Sequence, residues 1–219
     1  MSVEMLFPLA VVALVSYLLG SINFAVIISR IYAGDDVRKH GSGNAGMTNM
    51  LRTYGKTPAI LTAAGDFAKA VVAICLARFV IFPLVFGLPG QNIDGIDPGY
   101  VAGFFVLIGH IFPLFFHFKG GKGVMSSLGV LAVLDPIVFL AILVICLPIV
   151  FISRMVSLGS VTGAILLPIF TFIWRLIQGR NPAYDTVCAA VIAALVLFMH
   201  RENIGRLLKG TENRFGSKK

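Results

Sequence analysis

The chain has 219 residues, 58% of them hydrophobic and only 13% charged, with a mean hydropathy of +0.92 and a formal net charge of +8 at pH 7. Soluble globular chains run to about half apolar and about a quarter charged residues, so an ordinary soluble enzyme is excluded and the composition reads as a polytopic membrane protein. The positive balance does not point to nucleic acid, because no basic helix or aromatic platform accompanies it and the positives sit at the ends of apolar stretches.

With about 20 apolar residues per span, the pattern predicts helices near 5–29, 57–78, 99–117, 123–134, 137–152, 157–174 and 185–199. These seven make one all-helical membrane domain over 1–219. The fourth, at about 12 residues, is too short to cross a hydrocarbon core about 30 Å thick, so a count of five or six spans stays open. The first stretch follows Glu4 with no basic n-region, which predicts a retained span rather than a cleaved signal peptide. Cys75, Cys146 and Cys188 each lie inside an apolar stretch without metal-site or redox spacing, and read as packing residues.

Lys and Arg collect in alternate connections, and positive loops stay in the cytoplasm. Arg30, Arg38, Lys39, Arg52 and Lys56 occupy the first connection, whereas the loop around 87–98 has no basic residue and contains Asp94 and Asp97. Lys119 and Lys122 fall inside again, Asp135-Pro136 makes an outer turn, Arg154 an inner one, and the tail carries Arg201, Arg206, Lys209, Arg214, Lys218 and Lys219. The N-terminus is therefore expected outside and the tail inside. Only the loop with Arg175 and Arg180 runs against the rule, partly balanced by Asp185.

Every glycine-rich or donor-rich cluster falls on the predicted cytoplasmic side. The first runs from Lys39 and His40 through Gly41, Ser42, Gly43, Asn44, Gly46, Met47, Thr48 and Asn49 to Arg52. Its glycines permit turns that converge backbone N–H groups on an anion, with Ser42, Asn44 and Arg52 as side-chain donors, and Gly41, Asn44, Thr48 and Asn49 are expected among the substrate contacts. The plain alternative is a polar connecting loop. The Gly41-x-Gly43-x-x-Gly46 spacing imitates a dinucleotide fingerprint but lies between membrane spans rather than in a strand–turn–helix unit, so no nucleotide cofactor is expected.

Within the second span, Asp66 and Lys69 stand three apart, where single charges are costly, and read as a mutual pair. Next comes Gly109-His110-Ile111-Phe112-Pro113, leading to Lys119-Gly120-Gly121-Lys122-Gly123. This resembles a phosphate loop without the spacing or hydroxyl of a nucleotide-binding P-loop, so it suits phosphate rather than ATP. A glycine break between two short helices is the plain alternative, against which Lys119 and Lys122 argue. Ser157, opening a helix after Arg154, reads first as an N-cap. The tail segment from His200 to Glu212, if helical, puts His200 and Asn203 on one face; a basic amphipathic tail on anionic lipid is its plain alternative.

The acidic residues are scattered without carboxylate or His groupings for a metal at the cytoplasmic face, and no H-x-x-x-x-D motif supplies a His–Asp base. Donors without an evident base or metal suit a substrate that arrives already activated. With these residues the chain resembles the bacterial acyl-phosphate:glycerol-3-phosphate acyltransferases, integral membrane enzymes of phospholipid synthesis. The resemblance runs through Gly20-Ser21, Gly41-Ser42-Gly43-Asn44 to Thr48-Asn49 and Arg52, Gly109-His110 to Gly123-Val124, Ser157, and His200 to Glu212. It implies seven helices in the bacterial inner membrane, an active site facing the cytoplasm, and acyl transfer from acyl-phosphate to the 1-hydroxyl of glycerol 3-phosphate, giving lysophosphatidic acid and phosphate without a cofactor. It also implies that Ser42, Arg52, Lys119, Ser157, His200 and Asn203 bind glycerol 3-phosphate, that Gly120 to Gly123 cradle the acyl-phosphate head, and that Glu212 closes the site from the tail. Met47, where alanine is usual, and a long outer loop before Tyr100 are mild departures. A transporter of a phosphorylated metabolite is the competing class, disfavoured by clusters at one face and by the lack of an inverted repeat.

Overall fold

The structure is a computed structural model and describes residues 3–90 and 97–215. All regular structure among the described residues is helical. The chain divides into two compact units, Met1–Leu134 and Asp135–Lys219.

The first unit holds α1 (Val3–Gly20), α2 (Phe24–Ala33), α3 (Met47–Tyr54), α4 (Lys56–Cys75), α5 (Pro98–Ile111) and α6 (Val124–Leu134). The stretch expected as one helix over 5–29 is interrupted at Ser21–Asn23. Asn23 caps α2, its side-chain oxygen accepting the Val26 N–H at 3.1 Å, and Ser21 turns its hydroxyl back onto the Tyr17 carbonyl at 2.8 Å. Such local hydrogen bonds offer the backbone an alternative to helix, which apolar periodicity does not register. α4 continues as a π-helical stretch, Leu76–Val85, so the second span runs past its expected end at 78. α5 stops at Ile111 because Pro113 disfavours helix in the residue before it, and a single helical turn, Leu114–Phe116, follows.

α4 packs against α1, α2, α3, α5 and α6, and α1 lies along α5. That pairing is close because Gly109 has no side chain: a Cβ there would stand 2.2 Å from the Tyr17 carbonyl oxygen. α3, which the sequence leaves as loop, forms because Met47, Met50, Leu51 and Tyr54 recur at helical spacing and pack on Ala25, Val26, Val37, Ala45 and Ala59.

The second unit holds α7 (Pro136–Ser153), α8 (Val156–Ile177), α9 (Ala183–Met199) and α10 (Arg201–Leu208), with α8 packed against the other three. Arg175 is buried between Asp135, 2.8 Å away, and Asp185. One of the two positive charges that break the loop rule, Arg175, is thus neutralised inside the fold.

Among the described residues five stretches are long and apolar enough to cross a membrane: 5–33, 56–85, 98–116, 136–153 and 156–177; α9 and α10, bent by 66°, make a sixth if they count as one. α6, with 11 residues, rises only about 16 Å and cannot span alone. Only 17% of α7 is buried, and Val144, Phe151 and Ile152 point outward, a surface that suits lipid rather than water.

Candidate functional site in the polar loops

The first loop is built around Asn49. Its side-chain oxygen accepts the Ser42 N–H at 2.9 Å, while its NH₂ group donates to the carbonyls of Val37, at 3.1 Å, and His40, at 3.0 Å. The residue is almost fully buried, and the loop wraps so closely that a Cβ on Gly41 would meet the Asn49 oxygen at 2.2 Å. Asn49, expected among the substrate contacts, is therefore engaged by the loop's own backbone and fixes Ser42 instead. Ser42 itself is exposed, as is Arg52 on the open side of α3. The Arg52 guanidinium makes no hydrogen bond or ion pair among the described residues, which leaves its donors available to an anion. Asn44 and Thr48 lie half-buried beside the loop, also without side-chain hydrogen bonds among the described residues.

His40, the loop's only candidate base for Ser42, pairs instead with Asp35 at 2.6 Å and stands edge-on to Tyr54. The hydrogen bond from His40, with the Asp36 backbone N–H and Lys39 beside it, holds the Asp35 carboxyl well below its ordinary range.

The second loop returns to the helix that precedes it. Gly120 N–H donates to the Ile111 carbonyl at 3.1 Å and Gly121 N–H to that of His110 at 3.2 Å. These two amides, expected to cradle a phosphate, close the loop onto the end of α5. What the loop presents outward is the exposed Lys119 side chain, which has no hydrogen bond or ion pair among the described residues, and the approach through Lys122 and Gly123 to the N-terminus of α6, where the first backbone amides and the helix dipole favour an anion. His117 and Phe118, just before Lys119, are both left-handed, with φ of 58° and 57°. For residues with a side chain this conformation costs about 1–2 kcal/mol each and needs support from its surroundings.

That support, and the loop's floor, come from residues the sequence reading left outside the site. Arg38 was counted only as a topological charge; its Nη1 donates to the carbonyls of Phe116 at 2.7 Å and Lys119 at 3.0 Å. His110 lies under Gly121, where a Cβ would stand 2.3 Å from its Nε2. On the ring's other side Nδ1 is 3.0 Å from Lys69 Nζ, which also reaches Asp66 at 2.8 Å and the carbonyls of Gly20, at 3.0 Å, and Ile22, at 2.8 Å. Asp66 and Lys69 thus pair as their spacing predicts, and with His110 they join the α1–α2 break to the floor of the second loop. The adjacency of His110 to a glycine-rich segment was the available signal.

In the second unit, Ser157 is not an N-cap. Met155 occupies that position, its N–H served by Ser153, and Ser157 lies inside the first turn of α8, 8% exposed, its hydroxyl buried with no hydrogen-bond partner among the described residues. The tail segment, for which the sequence gives a helix only as a condition, forms α10, with His200 at its N-cap and Asn203 in its first turn. His200 Nδ1 lies 2.8 Å from the Val196 carbonyl oxygen, and a carbonyl can only accept, so Nδ1 carries a proton and donates it there. Glu212 bridges back to α10: one carboxylate oxygen takes Asn203 Nδ2 at 2.9 Å and the other Arg206 Nε at 2.9 Å. It braces Asn203 from the tail.

Residues 10–210 match the family model described as glycerol-3-phosphate acyltransferase. A protein of that name from Clostridioides difficile (strain 630) is 41% identical over 98% of both chains. The chain is also similar to the crystal structure of PlsY (YgiH), an integral membrane glycerol 3-phosphate acyltransferase, in its glycerol 3-phosphate form, with TM-score 0.76 and 37% identity over 95% of this chain and 96% of that one. The same protein's lysophosphatidic acid form gives 0.74 and 36%, with 95% of each chain covered.

Proposed function

Because the chain belongs to the glycerol-3-phosphate acyltransferase family, we propose that it transfers a fatty acyl group from acyl-phosphate to the 1-hydroxyl of sn-glycerol 3-phosphate, releasing lysophosphatidic acid and phosphate for phospholipid synthesis. The observation that carries this reading is that Arg52, on α3, and Lys119, on the second loop, stand exposed without a hydrogen bond or ion pair among the described residues, each beside a glycine-rich segment. Neutralising phosphate is the work such groups do well, Arg as a planar fork and Lys as a point charge. The solved glycerol 3-phosphate and lysophosphatidic acid forms of PlsY support the acceptor and the product. The acyl-phosphate donor rests on the sequence resemblance.

In this reading Arg52, Ser42 and Lys119 of the first unit bind glycerol 3-phosphate, while Lys122, Gly123 and the start of α6 receive the acyl-phosphate head that Gly120 and Gly121 shape; for Ser157, His200 and Asn203 of the second unit a role in binding glycerol 3-phosphate rests on the sequence resemblance. The acceptor hydroxyl attacks the mixed-anhydride carbonyl, an ester C–O bond forms, the bond to the phosphate oxygen breaks, and the proton lost by the hydroxyl ends on the departing phosphate. The donor is already activated, so the protein's work is positioning and charge neutralisation rather than formation of an acyl-enzyme. His40, turned to Asp35, leaves Ser42 without a base in its own loop, consistent with direct attack. We further propose a single catalytic domain in the inner membrane, the N-terminus outside and the loops facing the cytoplasm, with seven crossings of which α6 completes one by leaning on the loop before it.

The test is a donor comparison on purified protein in lipid, offering palmitoyl-phosphate or palmitoyl-CoA with glycerol 3-phosphate and following lysophosphatidic acid and phosphate. Product from palmitoyl-phosphate alone is expected. Product only from palmitoyl-CoA overturns the donor assignment. No product with either, while glycerol 3-phosphate crosses proteoliposome membranes, makes the chain a transporter.

A further inference from the structure

We propose that Arg38, braced by Asp36, is a positioning residue for acyl transfer: it holds the left-handed turn at His117–Phe118 and so sets where Lys119 stands. The proposal rests on the reading of Lys119 as a site residue. Arg38 Nη1 donates to Phe116 O at 2.7 Å and Lys119 O at 3.0 Å, the carbonyls immediately before and after the two left-handed residues. The other edge of the guanidinium is held by Asp36, Nε at 2.9 Å and Nη2 at 2.7 Å from its two oxygens. Asp36 is itself fixed, accepting the Arg38 backbone N–H at 3.0 Å and facing Arg30 at 3.6 Å. Each edge of the planar fork thus has a separate task, which an ammonium group cannot divide in the same way.

Side-chain burial does little to hold the turn. His117 and Phe118 are both exposed, Phe118 by 55%, so burial of their side chains within the protein does not reward the unusual backbone. The backbone itself adds Lys119 N–H to the Phe116 carbonyl at 3.4 Å, a long bond across the turn, and Phe118 N–H to the Pro113 carbonyl at 3.0 Å; the Lys119 carbonyl is reached by Arg38. Arg38 also precedes Ser42 by four residues, in the segment whose carbonyls Asn49 gathers. The same guanidinium therefore registers the loop carrying Ser42 against the loop carrying Lys119.

Arg38→Lys and the milder Asp36→Asn test this in full-length protein in lipid nanodiscs, each checked for an unchanged unfolding temperature. Amide hydrogen exchange over 113–121 is read beside kcat and KM, alone and combined with Lys119→Ala. We expect exchange in that segment to rise at least fivefold in Arg38→Lys and kcat to fall about tenfold with a smaller change in KM. In the Lys119→Ala background the same substitution should cost less than twofold more. Unchanged exchange in both variants overturns the clamp whatever the activity, and kcat losses that multiply in the double variant show that Arg38 does not act through Lys119. Full activity in Lys119→Ala, with exchange still raised in Arg38→Lys, overturns the site assignment of Lys119 while the clamp stands.

Discussion

Asn49 and Arg52 are three residues apart on one short helix and have opposite fates. Arg52 faces out and is unengaged, whereas Asn49 is buried with its oxygen on Ser42 and its two N–H groups on backbone carbonyls. Spacing and residue type identify both as donors, but the direction of an amide depends on which carbonyls the folded loop brings near, and that is set by Gly41, α3 and the Val37–Lys39 turn together. Glu212 shows the same limit, and so does Ser157, which lies in the first turn of α8 behind an N-cap, Met155, whose N–H Ser153 accepts. Asn49→Ala should therefore destabilise the protein by about 1–3 kcal/mol, the cost of stranding buried backbone groups. Ser42→Ala should lower kcat with little change in stability; thermal unfolding in detergent beside initial rates separates the two. The Asp36–Arg38 pair yields a pH expectation. Its hydrogen bond to Arg38 lowers the Asp36 pKa below the ordinary 3.8 despite opposing desolvation, so the pair's stabilisation is complete above the ordinary value and is lost as pH falls through the lowered one. Exchange protection of 113–121 should be flat from about pH 5 to 8 and fall only in stronger acid.

At the scale of elements, apolar runs of span length locate the membrane helices because lipid forces backbone hydrogen bonds inside the segment. They do not locate breaks, which come from polar side chains acting locally. The α1–α2 interruption is the instructive case: Asn23 caps the new helix, and Lys69 from α4 occupies the carbonyls of Gly20 and Ile22. The charge pair inside the second span was visible in the sequence, but its junction with His110 was not, since 41 residues separate Lys69 from that ring. α3 escaped for another reason, being too short and too polar for a span and stabilised by packing. Removing one partner of a buried ion pair leaves an uncompensated charge, so Lys69→Met should cost about 3–5 kcal/mol. Lys69→Met with Asp66→Asn should recover part of that loss, measured as unfolding temperature in detergent.

For the molecule as a whole, the loop charges favour an N-terminus outside and a tail inside, and the one exception weakens once Arg175 is seen buried with Asp135 and Asp185. A charge paired within the fold contributes little to the positive bias of a loop, and which Arg will be paired is not written in its neighbours: Asp135 lies 40 residues away. Single cysteines at Pro89 and Lys209, in a background with Cys75, Cys146 and Cys188 replaced by Ala, report the orientation directly. An impermeant thiol reagent added outside intact cells should label the first and spare the second until the membrane is opened. The reverse pattern would invert the topology and move the polar loops to the outer face.

The central claim is that two cations, Arg52 on α3 and Lys119 on the second loop, rather than a metal or a covalent intermediate, carry the transfer. The measurement that meets it most directly is the rate of lysophosphatidic acid formation from palmitoyl-phosphate and glycerol 3-phosphate with EDTA present, for the unaltered protein, Arg52→Ala and Lys119→Ala, each shown to unfold at the same temperature. The account predicts full activity in EDTA for the unaltered protein and a loss of about a hundredfold or more in kcat/KM for each variant, the scale of removing a charge-assisted contact to a reacting phosphate. Activity abolished by EDTA, or near-normal rates in both variants, would contradict it.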